Sequence, residues 1–196
     1  MAQTNLAEKL EDRFTYGQYC EWDDGERWEL IDGVPYNMTA APLRRHQGIS
    51  TAVISRISEF LRGKPCKLYH APFDVRLPDF EDQDNYDVPT VVQPDLVVIC
   101  DEKKLDDRGC KGAPDLVVEI LSPSTSRKDI GVKFALYERH GVREYWVIYP
   151  AEETLMVFTL GEDGKYGRPK GYGRGDVATS SVLVGLELDV EEVFGE

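Results

Sequence analysis

PDLVVEILSPS, residues 114–124, is the segment from which the architecture of this chain can be worked out. Its β-branched, apolar run is interrupted only by Glu119, which is typical of a strand that is buried on both faces. Pro-Asp-Leu-Val-Val also occurs at residues 94–98, so a second buried strand is predicted there. Neither Pro94 nor Pro114 can donate to a sheet ladder, and each therefore indicates the start of a strand.

Two segments with helical periodicity accompany these strands. Apolar side chains recur at spacings of three and four over residues 43–61, which predicts a helix there. A second helix is predicted over residues 127–140, followed by a strand at residues 145–149. This helix can return the chain from the second PDLVV strand to residues 145–149 as a parallel β-α-β crossover.

The other predicted elements are short. Asp32-Gly33 lies between two apolar-rich runs and predicts a hairpin. A short helix is predicted over residues 16–22, and further strands at residues 67–70, 73–77 and 155–160. This order of elements predicts an α/β (α+β) fold with a mixed central β-sheet flanked by helices.

Composition sets limits on the class of protein. The chain has 196 residues, a formal net charge of −13 and 41% hydrophobic residues, which is typical of one globular domain. We expect that single domain to span residues 1–196. No apolar run is long enough to cross a membrane and no signal core is present, so no membrane partner and a cytoplasmic location are predicted. The strong acidity argues against non-specific nucleic-acid binding, because it repels polyphosphates at long range.

The cysteines give no sign of a metal site. Cys20, Cys66, Cys100 and Cys110 include no C-x-x-C pair, and the histidines are scattered. Without a secretion signal, four reduced cysteines that serve mainly in packing are predicted.

Glu119 and two aspartates are the most informative polar residues. A lone carboxylate inside an apolar strand costs several kcal/mol, so Glu119 has a cation partner, a raised pKa or an exposed edge position. Asp115 lies about 13 Å from Glu119 along the same strand, too far to share a small metal ion. Asp95 precedes a different strand that can lie about 4.8 Å away as a neighbour. Asp95 and Glu119 could then converge on a hard divalent cation.

Asp74 and Arg76 alternate with Phe73, Val75 and Leu77. The alternation predicts that Asp74 and Arg76 lie on a solvated face of their strand.

The ordered succession of motifs resembles the PD-(D/E)XK nuclease superfamily, and within it the Uma-two-type family of endonucleases with a restriction-endonuclease-like fold. The resemblance covers about residues 15–194, which would be the core of the domain. The matching segments are Trp28 to Gly33, the helix with His46, Gln93 to Val97, residues 114–124, the Asp129, Lys133 and Tyr137 set, and Gly141 to Val147.

This resemblance implies a metal-dependent site that hydrolyses phosphodiester bonds of DNA. Asp95 and Glu119 would bind Mg²⁺ or Mn²⁺, and Glu29 would be a further acidic member unless it is an ordinary strand glutamate. His46 would lie near the scissile phosphate, although a packed core histidine is the commoner outcome. Gln93 could also reach the site.

The chain departs from the superfamily pattern at the lysine. The position two residues after Glu119 is Leu121, so Lys133 on the following helix is the candidate for the catalytic lysine, with Lys128 as a substitute. The alternative is a surface ion pair between Asp129 and Lys133, worth about 0.2–0.5 kcal/mol. The missing lysine also leaves open a non-catalytic nuclease-fold protein that acts as a binding or regulatory partner.

Partners are predicted on weaker grounds. A basic segment contains Lys165, Arg168, Lys170 and Arg174, interleaved with tyrosines, and could contact DNA phosphates despite the net charge. A solvated hairpin is the alternative. A homodimer is expected for an enzyme that cuts duplex DNA, because two-fold symmetry matches two strands.

Overall fold

The computed structural model of the chain describes residues 13–38, 42–122 and 126–195, with side chains described for all of these except 126–130. Contacts divide the described residues into two units. The first contains residues 13–38, 73–93 and 103–113, and the second contains residues 42–72, 94–102, 114–122 and 126–195. The assignment of residues 1–196 to one domain stays a prediction.

The helices and strands are listed here with their bounds. The helices are α1 (Tyr16–Tyr19), α2 (Arg44–Leu61), α3 (Ser126–His140) and α4 (Val190–Phe194), with 3₁₀ turns at Asn85–Asp87 and Glu102–Lys104. The strands are β1 (Trp28–Ile31), β2 (Val34–Asn37), β3 (Lys67–His70), β4 (Val75–Arg76), β5 (Val91–Val92), β6 (Leu96–Ile99), β7 (Leu105–Asp106), β8 (Gly109–Lys111), β9 (Leu116–Ile120), β10 (Glu144–Tyr149), β11 (Thr154–Thr159), β12 (Lys170–Tyr172), β13 (Val177–Thr179) and β14 (Glu187–Asp189).

The first unit is built on a mixed sheet with the order β2-β1-β5-β4-β8-β7. β4 and β8 are parallel, and the other neighbours are antiparallel. Asp32 and Gly33 join β1 to β2 with φ angles of 51° and 78°. Two consecutive positive φ angles are the mark of the tight hairpin turn that Asp-Gly favours, so the predicted hairpin is confirmed.

The prediction of a solvated face for Asp74 and Arg76 is wrong. Arg76 has no exposed surface, and its guanidinium donates to Asn85 Oδ1 at 2.7 Å and to Asp106 Oδ1 at 2.7 Å. Asp74 is half-buried and accepts from Gln93 Nε2 at 2.8 Å. β4 lies between β5 and β8, and both of its residues are buried, so the alternation marks an apolar and a polar buried residue and no solvated face.

The second unit contains the sheet that carries the PDLVV strands, in the order β12-β11-β10-β9-β6-β3. β9 and β10 are parallel and α3 connects them, which confirms the predicted crossover. α2 covers this sheet with a buried stripe at helical spacing, and the stripe joins the apolar side chains of β6, β9 and β10 in one core. Its members are Ile49, Val53, Ile57 and Leu61.

The prediction of four reduced cysteines is wrong for two of them. β3 and β6 pair antiparallel with Lys67 opposite Ile99, so the residues just beyond this pair, Cys66 and Cys100, also face each other. They form a disulfide across 34 residues of sequence. Spacing along the chain could not reveal this, because the proximity comes from strand register. Cys20 and Cys110 form no disulfide.

The β13–β14 hairpin, which packs with α4 at the end of the second unit, was not predicted from the sequence. Each of its strands has three residues, of which the first and last are exposed. The sequence therefore contains no apolar run that would predict them. Within the described residues, no helix has the length and apolar character to cross a membrane.

Candidate active site

Both PDLVV motifs meet in one pair of strands. β6 and β9 are antiparallel, with Leu96 opposite Val118, so the register continues one step to place Asp95 opposite Glu119. Adjacent strands are separated by about 4.8 Å, and two acidic residues of distant sequence positions are therefore neighbours. This is the arrangement that the sequence suggested for a shared cation.

The two motif aspartates make equivalent contacts with the backbone. Asp95 Oδ2 accepts the N–H of Ile120 at 2.7 Å, one residue beyond its opposite residue on β9. Asp115 Oδ2 accepts the N–H of Cys100 at 2.8 Å, again one residue beyond its opposite residue on β6. Each aspartate therefore extends the ladder at one end of the pair. The two aspartates differ in their side-chain partners. Asp115 accepts from Arg143, and Asp95 contacts His46.

His46 reaches Asp95 from the first turn of α2. Its Nε2 lies 3.2 Å from Asp95 Oδ2 and its side chain is 14% exposed. Burial lowers the pKa of His46, but the hydrogen bond and charge of Asp95 and the charge of Glu119 outweigh it, so the pKa lies above its ordinary value. Its Nδ1 is buried and has no hydrogen-bond partner among the described residues.

Glu119 is held by two side chains of α3. Lys133 Nζ donates to Glu119 Oε1 at 2.9 Å, and the Tyr137 hydroxyl donates to the same oxygen at 2.8 Å. Glu119 is 7% exposed and Lys133 is 5% exposed. The sequence left three possibilities for Glu119, which were a cation partner, a raised pKa or an exposed edge position. The structure shows the first of them, with Lys133 as the cation. Leu121, at the usual lysine position, is itself buried and apolar.

Lys133 and Tyr137 reach the same oxygen because they lie four residues apart, about one helical turn. The Asp129 and Lys128 side chains, which the sequence offered as a surface partner and as a substitute lysine, lie outside the described residues. In the sequence, Tyr137 was named in the Asp129, Lys133 and Tyr137 set that resembles the family, and it was given no role of its own. Its spacing of four from Lys133 was the signal that could have pointed to the site.

His46, Asp95, Glu119 and Lys133 thus come together in the second unit. Glu29 lies in the first unit, on β1, where its Oε1 accepts the N–H of Gln93 at 2.8 Å. The Gln93 side chain is also engaged in that unit, since its Oε1 accepts from Arg27 Nη2 at 2.6 Å.

The basic segment that was considered for DNA contact is partly neutralised. Lys165 pairs with Glu138 at 2.9 Å, and Arg174 pairs with Glu153 and Glu191. The backbone N–H of Tyr166 also donates to Glu138, and this bond, followed by the pair with Lys165, holds the pKa of Glu138 below its ordinary value. Arg168 and Lys170 are exposed. A role of this segment in DNA contact stays a prediction.

A divalent cation would find a partial set of ligands here. Among the described residues, no group of three or more histidine, cysteine, aspartate or glutamate side chains is arranged to hold a metal ion. Asp95 and Glu119 are two oxygen donors from facing positions, and none of the described residues donates a hydrogen bond to Asp95 Oδ1. Mg²⁺ is commonly bound by one or two carboxylates, with water and substrate phosphates as the other ligands. The two carboxylates fit that mode of binding.

Comparison with solved structures agrees with this fold. A crystal structure of a protein from Anabaena variabilis ATCC 29413, described as a putative nuclease belonging to DUF820, aligns with a TM-score of 0.72. The alignment covers 92% of this chain and 97% of that chain at 19% sequence identity. At this low sequence identity the similarity is one of fold alone. It confirms the predicted α/β (α+β) fold class.

Comparison of sequences identifies the family. "Uncharacterized protein slr1290" of Synechocystis sp. (strain ATCC 27184 / PCC 6803 / Kazusa) is 26% identical over 152 residues, 76% of this chain and 75% of that protein. The family model Uma2, described as "Putative restriction endonuclease", matches residues 15–191. The resemblance found in the sequence is therefore confirmed, and the chain belongs to the Uma2 family.

Proposed function

We propose that the chain is a metal-dependent DNA endonuclease whose active site consists of His46, Asp95, Glu119 and Lys133. The observation that carries the proposal is the buried ion pair of Lys133 and Glu119, with Asp95 opposite Glu119 in register. A lysine beside two acids of neighbouring strands is the chemical set of a PD-(D/E)XK site, with the lysine supplied by a helix. Membership of a family described as "Putative restriction endonuclease" supports the reaction class.

In this proposal, Asp95 and Glu119 would hold a Mg²⁺ or Mn²⁺ ion. Such an ion would supply Lewis-acid polarisation of the scissile phosphate and favour ionisation of water. The contact with Ile120 N–H orients Asp95, and His46 restrains it from the side. Lys133 would donate to the attacking hydroxide and to the charge that develops on the phosphate. Burial strengthens that donation, since the local dielectric is low.

A cleavage assay tests the proposal. Supercoiled plasmid incubated with Mg²⁺ or Mn²⁺ should be nicked or linearised by the wild type, and no cleavage should remain in Glu119→Gln. Lys133→Ala should lower kcat by about 10²–10³, the range expected when one preorganised donor is removed. The exposed Lys103 of the first unit offers a matched control, and Lys103→Ala should cleave like the wild type. Thermal melts should show that all variants are folded.

The alternative is a non-catalytic protein of the same fold. Negligible cleavage by wild type and variants alike, across both metals and across DNA forms, would favour it. Calorimetry without DNA is an independent measurement, and heat of Mn²⁺ binding that disappears in Glu119→Gln supports the metal site.

We also propose that the active form is a homodimer, since two copies of one site match the two strands of a duplex. Sedimentation of the protein with and without duplex DNA tests this, and a monomer in both conditions would contradict it.

A further inference from the structure

Glu119 Oε1 is the meeting point of two donors from one helix. Lys133 Nζ lies 2.9 Å from this oxygen and the Tyr137 hydroxyl lies 2.8 Å from it. Tyr137 has no exposed surface and Glu119 is 7% exposed. The proposed mechanism gives a task to the lysine, but it gives none to the tyrosine.

The direction of the Tyr137 hydroxyl is set by its surroundings. Its ring packs against Tyr145 of β10 with centroids 5.0 Å apart and an interplanar angle of 67°, an edge-to-face contact. β10 is the parallel neighbour of β9, which carries Glu119. The tyrosine is thus held between its own helix and the strand beside the carboxylate that it contacts.

Two donors restrain a carboxylate better than one. A single donor allows the carboxylate to swing about the bond, whereas a lysine and a tyrosine on successive turns restrain its plane. Partners that hydrogen-bond a metal ligand in this way typically change metal affinity by about 10–100-fold when they are removed. The tyrosine contributes this without adding a charge that would compete with a cation.

We infer that Tyr137 is a positioning residue, which orients Glu119 for the divalent cation while Lys133 remains able to donate to the substrate. This rests on the proposed function. Tyr137 acts through Glu119 and does not itself contact the reacting atoms.

A double-mutant cycle in the absence of metal tests the contact itself. The variants are Tyr137→Phe, Glu119→Gln and the double variant, and the readout is the shift of the urea unfolding midpoint. If the hydroxyl acts through the carboxylate, the two single shifts do not add in the double variant. Tyr16→Phe is the matched control, because Tyr16 is also buried and its hydroxyl donates to a different carboxylate, Asp74 Oδ2, at 3.2 Å in the first unit. Its shift should add to that of Glu119→Gln.

The metal readout is Mn²⁺ titration by calorimetry, followed by plasmid cleavage. Tyr137→Phe should weaken Mn²⁺ binding by about tenfold and lower kcat at saturating Mn²⁺ by a similar factor. KM for DNA should stay within about twofold of wild type, since a positioning residue does not touch the substrate. Tyr16→Phe should match the wild type in all three measurements.

The outcomes separate this inference from the proposed function. A wild type that binds Mn²⁺ and cleaves DNA, with Tyr137→Phe indistinguishable from it, overturns the inference and leaves the proposed function standing. Additive shifts in the cycle overturn it as well. A wild type that neither binds Mn²⁺ nor cleaves DNA overturns the proposed function, and the role of Tyr137 toward a cation falls with it.

Discussion

At the scale of single residues, Asp95 and Asp115 form a natural pair of test and control. Both open a PDLVV strand, and both accept one backbone N–H beyond the opposite residue. Replacing either by Asn weakens a charge-assisted hydrogen bond, and we expect each to lose about 1 kcal/mol of unfolding free energy. Only Asp95→Asn should abolish plasmid cleavage, because Asp115 is not among the proposed cation ligands.

Urea denaturation and the cleavage assay together check this prediction. The Asp115 pair with Arg143 adds little to the comparison, since the Arg143 side chain is 61% exposed and such pairs contribute about 0–1 kcal/mol. A folded Asp115→Asn protein that is as inactive as Asp95→Asn would show that the shared structural contact, and not a cation, explains the effect.

Glu144 and Glu119 are two buried acids of the second unit that differ in their hydrogen-bond partners. Glu144 has no exposed surface and Glu119 almost none. Glu144 accepts from the indole N–H of Trp146 at 2.7 Å and from the backbone N–H of Ser181 at 2.7 Å, which are neutral donors. Glu119 instead pairs with Lys133, a charged donor to which the proposed mechanism assigns a role toward the substrate. Burial alone does not distinguish a structural acid from a catalytic one.

At the scale of elements, the Arg76–Asp106 pair ties β4 to β7 in the first unit. Burial raises the pKa of Asp106, but Arg76 and the N–H groups of Arg108 and Gly109 outweigh it, so the pKa lies below its ordinary value. A lowered folded pKa stabilises the protein above the unfolded value of about 3.9 and the contribution is lost as pH falls through the folded value. We therefore expect Asp106→Asn to flatten the acid limb of stability against pH.

The size of this effect follows from exposure. Asp106 is 45% exposed, which screens the pair, whereas Arg76 is fully buried and would lose its anionic partner. We expect Asp106→Asn to cost about 1–2 kcal/mol at neutral pH, below the cost of breaking a fully buried pair. Asp107→Asn, the exposed neighbour, is the control for the loss of one charge. Equal acid slopes for the two variants would contradict the prediction.

At the scale of the whole molecule, the net charge of −13 opposes DNA binding. If a divalent cation supplies the missing positive charge, removing it should weaken binding. We expect duplex DNA to bind at least about tenfold more tightly in Ca²⁺, another hard cation with oxygen ligands, than in EDTA. Fluorescence anisotropy with a labelled duplex measures this.

The control for this experiment is the Asp95→Asn, Glu119→Gln double variant, which should lose most of the difference between Ca²⁺ and EDTA. Equal affinity of the wild type in Ca²⁺ and EDTA would mean that other parts of the surface bind DNA without help from a cation at this site.

Much of the fold was predictable from local patterns. The bounds of α2 and of β3 agree with the predicted residues 43–61 and 67–70, since periodicity is a property of the segment itself. Residues 73–77 proved less predictable, because the strand there comprises only Val75 and Arg76 and both of these residues are buried. Whether one face or both faces of a strand are buried depends on what packs against it, and the pattern of the strand itself does not show this.

The candidate site was predictable to a similar extent. The apolar surroundings of Glu119 required a partner, and the family resemblance pointed to Lys133. That Asp95 lies opposite Glu119 in register could be proposed only as one possible pairing of two strands. The contribution of Tyr137 was hidden, since a tyrosine on an apolar helical face has the same pattern whether or not its hydroxyl reaches a carboxylate.

The sequence by itself determined the longer helices and strands, the buried character of the two PDLVV strands, the crossover after Ile120 and the family. These follow from short-range backbone preferences and hydrophobic patterns, which act within a segment. Only the tertiary structure decided that Cys66 meets Cys100, that Arg76 is buried against Asp106, and that Glu119 shares one oxygen between Lys133 and Tyr137. These contacts depend on strand register and helix placement, in which groups distant along the chain meet only after the core has packed.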